Sequence, residues 1–283
     1  MKHFTITDAE YELYINGKLT LTDLSKKYNV CHTTILNHLI KDGKTSALGV
    51  RRKYQSDDFF NVIDCEEKAY ILGFYVGDGY ITSNSFGIAI QEDDKELLVK
   101  IRDIISPKSN LNYIKPKLSK LGFVSKPMYR LRISSKQIVE DLEKYKLGYN
   151  KTYIEKSVKN IVPTHLFKHF VRGYFDADGC INHTSGFCRH KEWQGEYHNY
   201  IWNIISKDRC ILEEIKDFLI QNDIHPNIYP DQKGCFLISL TKRDEFKKLF
   251  ELIYNDCSIF LERKKNKFNE ILELRESHNK IND

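Results

Sequence analysis

The sequence predicts a mixed α+β protein, with two related halves behind a small all-helical head. Three observations carry that prediction. A segment of 13 residues, Ala69–Ile81, recurs as His169–Ile181. After each copy, strand-like and helix-like patterns follow in the same order. Residues 1 to about 50 show helical spacing and no strand alternation. With 283 residues, the chain has room for about two domains of roughly 100–200 residues each.

Composition narrows the class. Hydrophobic residues make up 41% and aromatics 12%, with 17 Tyr and 16 Phe, so the chain can bury a core and wholesale disorder is excluded. Only 14 Gly and 6 Pro exclude collagen-like or low-complexity material. No apolar run reaches the ~18–20 residues of a membrane span. The start, Met-Lys-His-Phe-Thr-Ile-Thr-Asp, has no apolar signal core, so an intracellular protein is expected. The 7 cysteines are scattered without a C-x-x-C pair, which favours reduced thiols. A net charge of +5 permits a nucleic-acid partner without demanding one.

The head, residues 1–50, resembles a helix-turn-helix. Leu21–Tyr28 and Cys31–Ile40 are the two helices, with a turn at Asn29-Val30 and a stop at Gly43. Leu24, Val30, Ile35 and Leu39 fall at packing positions, while His32, Thr33, Thr34, Asn37 and His38 fall on the other side of the second helix. In such a motif the second helix enters the major groove, and short polar side chains suit base edges. Residues 51–63 lack periodicity and read as a linker.

The first half spans 64–160 and the second 161–275. Aligned without gaps, the repeated segments place Gly73 on Gly173, Gly77 on Ala177, Asp78 on Asp178 and Gly79 on Gly179, each pair 100 residues apart. Small residues four apart share a helix face and let two backbones approach. Glycine inside a helix costs about 1 kcal/mol relative to alanine, a cost that close packing offsets. Gly79 and Gly179 fit a left-handed helix end. Downstream, Phe86–Gln91 and Trp202–Ser206 read as strands, and Asp94 and Asp208 as helix N-caps. Tyr129–Ser134 and Cys235–Thr241 are further strands leading into helices.

Asp78 and Asp178 then sit in the last turn, facing the negative end of a helix dipole at a cost of roughly 0.3–1 kcal/mol. Paired helices would bring both carboxylates to one end of the seam, where they repel unless a cation lies between them. Hard divalent cations such as Mg²⁺ take carboxylate, water and phosphate oxygens, and a cation so held polarises phosphate and activates water.

Both segments resemble the LAGLIDADG motif of homing endonucleases. The second, V-R-G-Y-F-D-A-D-G, is a near match; the first, I-L-G-F-Y-V-G-D-G, has Val76 where the family often has its first Asp. That position is not the family's metal ligand; the second Asp is, and both Asp78 and Asp178 are present. The resemblance covers residues 64–270 and implies two αββαββα halves in one monomeric chain, with sheets forming a saddle over double-stranded DNA. It implies that Asp78 and Asp178 hold divalent metal, Mg²⁺ or another hard cation, for hydrolysis of one phosphodiester on each strand, leaving short 3′ overhangs. It also points to basic residues after the second strand pair of each half. Leu147–Tyr153, L-G-Y-N-K-T-Y, offers Lys151, and Ile259–Phe268, I-F-L-E-R-K-K-N-K-F, offers Lys264 beside Arg263 and Lys265. Such a lysine would stabilise charge developing on the phosphate or orient water.

Further nucleic-acid contacts are expected from the strands. Arg130 and Arg132 alternate with Leu131 and Ile133, and Lys115 and Lys117 share the two-residue spacing of a sheet face. Arginine pairs with guanine O6 and N7. Thr184–Tyr200 exceeds its counterpart in length and carries Arg189, His190, Lys191 and His198, an extended hairpin over DNA. His183, Cys188, His190 and His198 match no standard zinc spacing, so no zinc site is expected. The leading reading is therefore a site-specific double-stranded DNA endonuclease. A DNA-binding regulator without catalysis and an RNA-binding intron maturase are the alternatives. An intein is not expected, because splice-junction residues are missing at Met-Lys-His and Lys-Ile-Asn-Asp.

Overall fold

The computed structural model describes residues 4–47, 49–50, 54–118, 122–151, 156–189 and 194–282. His190 and Lys191 lie outside the described residues. Two four-stranded antiparallel sheets are present, ordered β1-β2-β4-β3 and β5-β6-β8-β7. The protein is α+β, as its alternating patterns require.

The head contains α1 (Asp8–Ile15), α2 (Leu21–Tyr28) and α3 (His32–Lys41). Capping boxes start the first two: Thr7 with Glu10, and Thr20 with Asp23. Asn29 ends α2 in the left-handed region at φ 51°, and the Val30 N–H donates to Ser25 O at 3.1 Å. That tight exit turns the chain into α3 within three residues. Ile6, Tyr14, Leu24, Ile35 and Leu39 form a core of their own, separate from that of the body. The stretch read as a linker behaves differently along its length. Phe59, Phe60 and Ile63 are buried in the body's core, and the Ser56 N–H donates to Ile105 O at 2.9 Å.

The first half runs α4 (Glu66–Asp78), β1 (Gly79–Thr82), β2 (Ser85–Gln91), α5 (Lys95–Ile105), β3 (Leu111–Ile114), β4 (Met128–Ser134) and α6 (Lys136–Lys144). The second runs α7 (Phe167–Asp178), β5 (Gly179–Arg189), β6 (Gln194–Ser206), α8 (Arg209–Ile220), β7 (Asn227–Pro230), β8 (Phe236–Leu240) and α9 (Arg243–Tyr254), and α10 (Glu262–Asn282) follows. Each half is therefore αββαββα. The inner strand faces supply alternating apolar residues, such as Ile88, Leu131 and Ile133 in the first half and Trp202, Ile204 and Ile238 in the second.

The seam between the halves is α4 against α7. A Cβ on Gly73 would sit 2.2 Å from Phe170 O, and one on Gly173 would sit 2.0 Å from Tyr70 O. The backbones are therefore in direct contact, and only glycine fits. At Gly77 a Cβ would meet the Ala177 Cβ at 2.5 Å. The Gly77/Ala177 asymmetry follows: one methyl fits between the helices and two do not. A buried guanidinium locks the other end. Arg172 donates to Glu66 Oε1 at 2.6 Å, Ile253 O at 2.7 Å and Ile259 O at 3.0 Å.

Gly79 and Gly179 do not adopt the expected left-handed conformation. Both have φ −81°, with ψ 160° and 161°, so each helix passes straight into an extended strand. Space explains the residue instead: a Cβ at either position would lie 2.1 Å from the ring of Tyr75 or Phe175. Asp208 caps α8 through the Cys210 N–H at 3.0 Å. Asp94 makes no such side-chain cap on α5; it instead accepts two bonds from Arg263, at 3.1 and 2.9 Å.

Candidate active site

Asp78 and Asp178 are the last helical residues of α4 and α7, so contact between the two helices brings them to the same end of the seam. Asp178 Oδ2 lies 3.0 Å from where a Gly77 Cβ would be, one residue from Asp78. Both side chains are exposed, yet the protein packed behind them removes much of their hydration. Burial, then the charge of Asp178, pushes Asp78 up to about 6 from 3.8, while Lys264 and Lys151 oppose the rise. Burial raises Asp178 as well, against the pull of Lys151 and Lys264. Among the described residues, no group donates a hydrogen bond to either carboxylate.

Asp176 is a useful contrast. It is two residues away and fully enclosed, and it accepts from Tyr254 Oη at 2.7 Å, Tyr70 Oη at 2.8 Å and the Leu261 N–H at 2.8 Å. Its carboxyl is committed to structure, joining α4, α9 and the start of α10. In the first half Val76 occupies the matching position, so this anchor belongs to the second half alone.

The two lysines arrive symmetrically. Lys151 Nζ donates to Val76 O and, at 3.4 Å, to Gly77 O; Lys264 Nζ donates to Phe175 O, to Ala177 O at 3.3 Å and to Gly179 O at 2.6 Å. Each ammonium sits 5.1 Å from the ring centroid of Tyr75 or Phe175. They cap the carbonyl ends of α4 and α7, so the positive charge that each helix end lacks in its own sequence comes from a distant element. Desolvation lowers both lysines to about 8 from 10.5; Asp178 and Asp78 oppose the fall at Lys151, and Asp176, then Asp78 and Asp178, oppose it at Lys264. Arg263 and Lys265 point elsewhere: the first binds Asp94, and the second stacks 4.0 Å from the Phe260 ring centroid.

Sequence reasoning missed one supporting pair. Lys156 is buried, donates to the Lys151 carbonyl, and lies 3.1 Å from Asp208 Oδ2. The cap of α8 thus also fixes the backbone that carries Lys151. The cap role of Asp208 was visible in the sequence, but Lys156 looks like any surface lysine. Val76, Lys151, Lys156, Tyr174, Asp178 and Asp208 line a cleft of about 380 Å³. A hollow of about 440 Å³ between the head and Asn110 has no acid in its lining.

The other expected contact residues scatter. Arg130 and Arg132 lie opposite Ala89 and Gly87 on the outer face of the first sheet. Lys115 and Lys117 are exposed but lie beyond β3, in the loop after Ile114. Pro116 between them helps to end the ladder. β5 and β6 do form a long hairpin, of 11 and 13 residues against 4 and 7 in the first half. Arg189 lies at its tip, but by strand alternation it shares the face of buried Ile181 rather than that of Asn182. His183 Nε2 and His198 Nδ1 are 3.1 Å apart on that same face. In the head, Thr33, Thr34 and Asn37 are exposed on α3. His38 is half-buried, with its ring 4.5 Å from Phe4 and Nδ1 2.9 Å from Asp42.

Residues 168–254 match the LAGLIDADG-like domain family. The protein has the LAGLIDADG fold. Meganuclease I-SmaMI, bound to uncleavable DNA with a TTCT central four, superimposes with a TM-score of 0.50 at 12% identity, over 75% of this chain and 91% of that chain. A lysine-to-alanine mutant of I-SmaMI gives 0.52 at 13% identity, over 75% and 92%. At these identities the likeness speaks to the fold. A curated relative, the replication factor C small subunit of Methanocaldococcus jannaschii, is 28% identical over 170 residues, which is 56% of this chain. The chain spans only 9% of that relative's length. Among the described residues, no helix is long and apolar enough to cross a membrane. The αββαββα repeat, the glycine contacts between the LAGLIDADG helices and the terminal aspartates all accord with this fold.

Proposed function

We propose that this protein is a divalent-metal-dependent endonuclease that cuts double-stranded DNA at a specific site. The observation that carries this reading is the pair of aspartates at the end of the LAGLIDADG seam, both exposed, both raised, and neither supplied with a donor. Two carboxylates that no side chain binds directly, with Lys151 and Lys264 compensating them only in part, are a donor set for a hard cation. No cluster of three or more metal-ligating side chains is found among the described residues, so water and phosphate oxygens would complete the shell. A bound Mg²⁺ would polarise the scissile phosphate and make water a better nucleophile.

The chain's own residues do the rest. Asp78 and Asp178 would hold the cation, whose positive charge would draw the phosphodiester to the end of the seam. Lys151 and Lys264 keep both helix ends neutralised, and their ammonium groups favour charge building up on the phosphate. Lys156 and Asp208 fix the backbone beneath Lys151. The outer sheet faces, with Arg130 and Arg132, contact the duplex, Lys115, Lys117 and Arg189 reach phosphates from the loop and hairpin tip, and Thr33, Thr34 and Asn37 on α3 add contacts outside the central site, with His38 supporting that helix. I-SmaMI is a DNA-bound meganuclease of the same fold, which supports the substrate class.

The test is cleavage of a supercoiled plasmid library, with and without Mg²⁺. Mg²⁺-dependent linearisation of a defined subset is expected. Asp178→Asn should abolish double-strand cutting while largely keeping binding. Full cutting by that variant would refute the assignment, and binding without any cutting in the native protein would favour a regulator.

A further inference from the structure

We propose that the two sheets read chemically unlike half-sites: the first a half-site containing guanine, through Arg130 and Arg132, and the second an A·T-rich half-site, through neutral amides and hydroxyls. This rests on the DNA-reading function proposed above and adds what that function recognises.

The outer face of each sheet follows from register. In β4, Leu131 and Ile133 are buried, so Arg130 and Arg132 project from the opposite face. Arg130 lies between Ala89 and Asn112, and Arg132 lies opposite Gly87. Small neighbours leave both guanidinium groups room to extend. Arg130 Nε is shielded from solvent and has no hydrogen-bond partner among the described residues, and Arg132 makes one long bond of 3.3 Å to Thr82. Neither guanidinium is paired with an acid in the salt bridges found.

The second sheet differs at equivalent places. Ile181, Trp202, Ile204 and Ile238 are buried, so the outer positions are the alternating ones. Register aligns Cys180, Asn203, Ser239 and Asn227 in one row across all four strands, with Ser239 buried and Cys180 and Asn227 exposed. Thr184 pairs with Asn199, and Asn182 with Ile201. Among the described strand residues, this face holds no Lys, Arg, Asp or Glu. Arg189, the one cation of β5, falls on the other face.

The chemistry then divides. Arginine forms a bidentate pair with guanine O6 and N7, asparagine with adenine N6 and N7, and apolar side chains such as Ile201 pack on the thymine methyl. A face of amides, hydroxyls and isoleucine has no guanidinium or ammonium to pair with guanine's two acceptors together, so guanine loses its strongest partner there. The face itself draws little affinity from phosphates, so in the second half that share of binding falls to cations off the face, such as Arg189 at the hairpin tip.

Sites retained by the full-length protein from a randomised duplex library test this. The expected consensus is asymmetric, with G·C preferred at one or more positions of one half-site and A·T across the other. Arg132→Lys keeps the charge but not the fork, and should cut the guanine preference about 10-fold or more in the first half-site only. Asn203→Ala should relax an adenine preference in the other half-site only. Thermal unfolding checks that both variants stay folded. Equal G·C content in the two half-sites, or an unchanged consensus for Asn203→Ala, would overturn the asymmetry while leaving DNA reading intact. No enrichment at all would overturn DNA reading itself.

Discussion

Asp78 and Asp176 carry the same functional group and lead opposite lives. Asp176 has three donors and holds α10 in place; Asp78 has none and is raised to about 6. The consequence for stability has a definite sign. In cation-free protein the native state binds the Asp78 proton more tightly than the unfolded chain, whose value is near 3.8. The contribution of this group is favourable at low pH and is lost as pH rises through about 4 to 6. Denaturant unfolding across that window should show native protein losing stability relative to Asp78→Asn; a constant difference would contradict the shift. Cation binding needs the ionised form, so cleavage should fall as pH drops below the neutral range. That Asp78 and Asp178 end matching helices was legible from the repeat. The three donors of Asp176 were not, because Tyr70, Tyr254 and Leu261 are far apart in sequence.

At the scale of elements, the seam between α4 and α7 governs everything downstream. Gly73→Ala or Gly173→Ala would press a methyl into a carbonyl oxygen of the facing helix, at 2.2 or 2.0 Å. Backbone cannot yield as a side chain does, so each should destabilise by at least about 1–3 kcal/mol. Gly77→Ala should also displace Asp178, costing activity as well as stability. Pairing it with Ala177→Gly restores one methyl at the contact and should recover much of both, a coupling that a double-mutant cycle reads directly. The paired helices, the longer inner strands and the small-residue stripe were legible here, since each rests on local spacing; the order of strands within each sheet was not. The glycines after the aspartates were misread: a terminal glycine suggests left-handed backbone, whereas the Tyr75 and Phe175 rings impose the requirement. The Lys115 and Lys117 spacing was equally ambiguous, because a two-residue alternation reads the same in a strand and in the loop that leaves it.

At the scale of the molecule, the duplication provides one acid, one lysine and one sheet per half, and the halves then diverge. The first carries arginines on its outer face; the second carries asparagines, a longer hairpin and the Asp176 anchor. Binding should weaken steeply with salt, with log K falling by about 0.9 per phosphate contact for each decade of salt. A salt-insensitive complex would argue against the proposed faces. The repeat made this architecture visible, but the register that sorts Arg132 from Arg189 needs paired strands and could not be had from one chain read linearly.

The central claim is that one cation site is built jointly by Asp78 and Asp178. Anomalous diffraction from crystals soaked in Mn²⁺ would locate it directly. The expected peak lies between the two carboxylates and disappears in Asp78→Asn and in Asp178→Asn. A peak elsewhere, or one that survives both substitutions, would contradict the account.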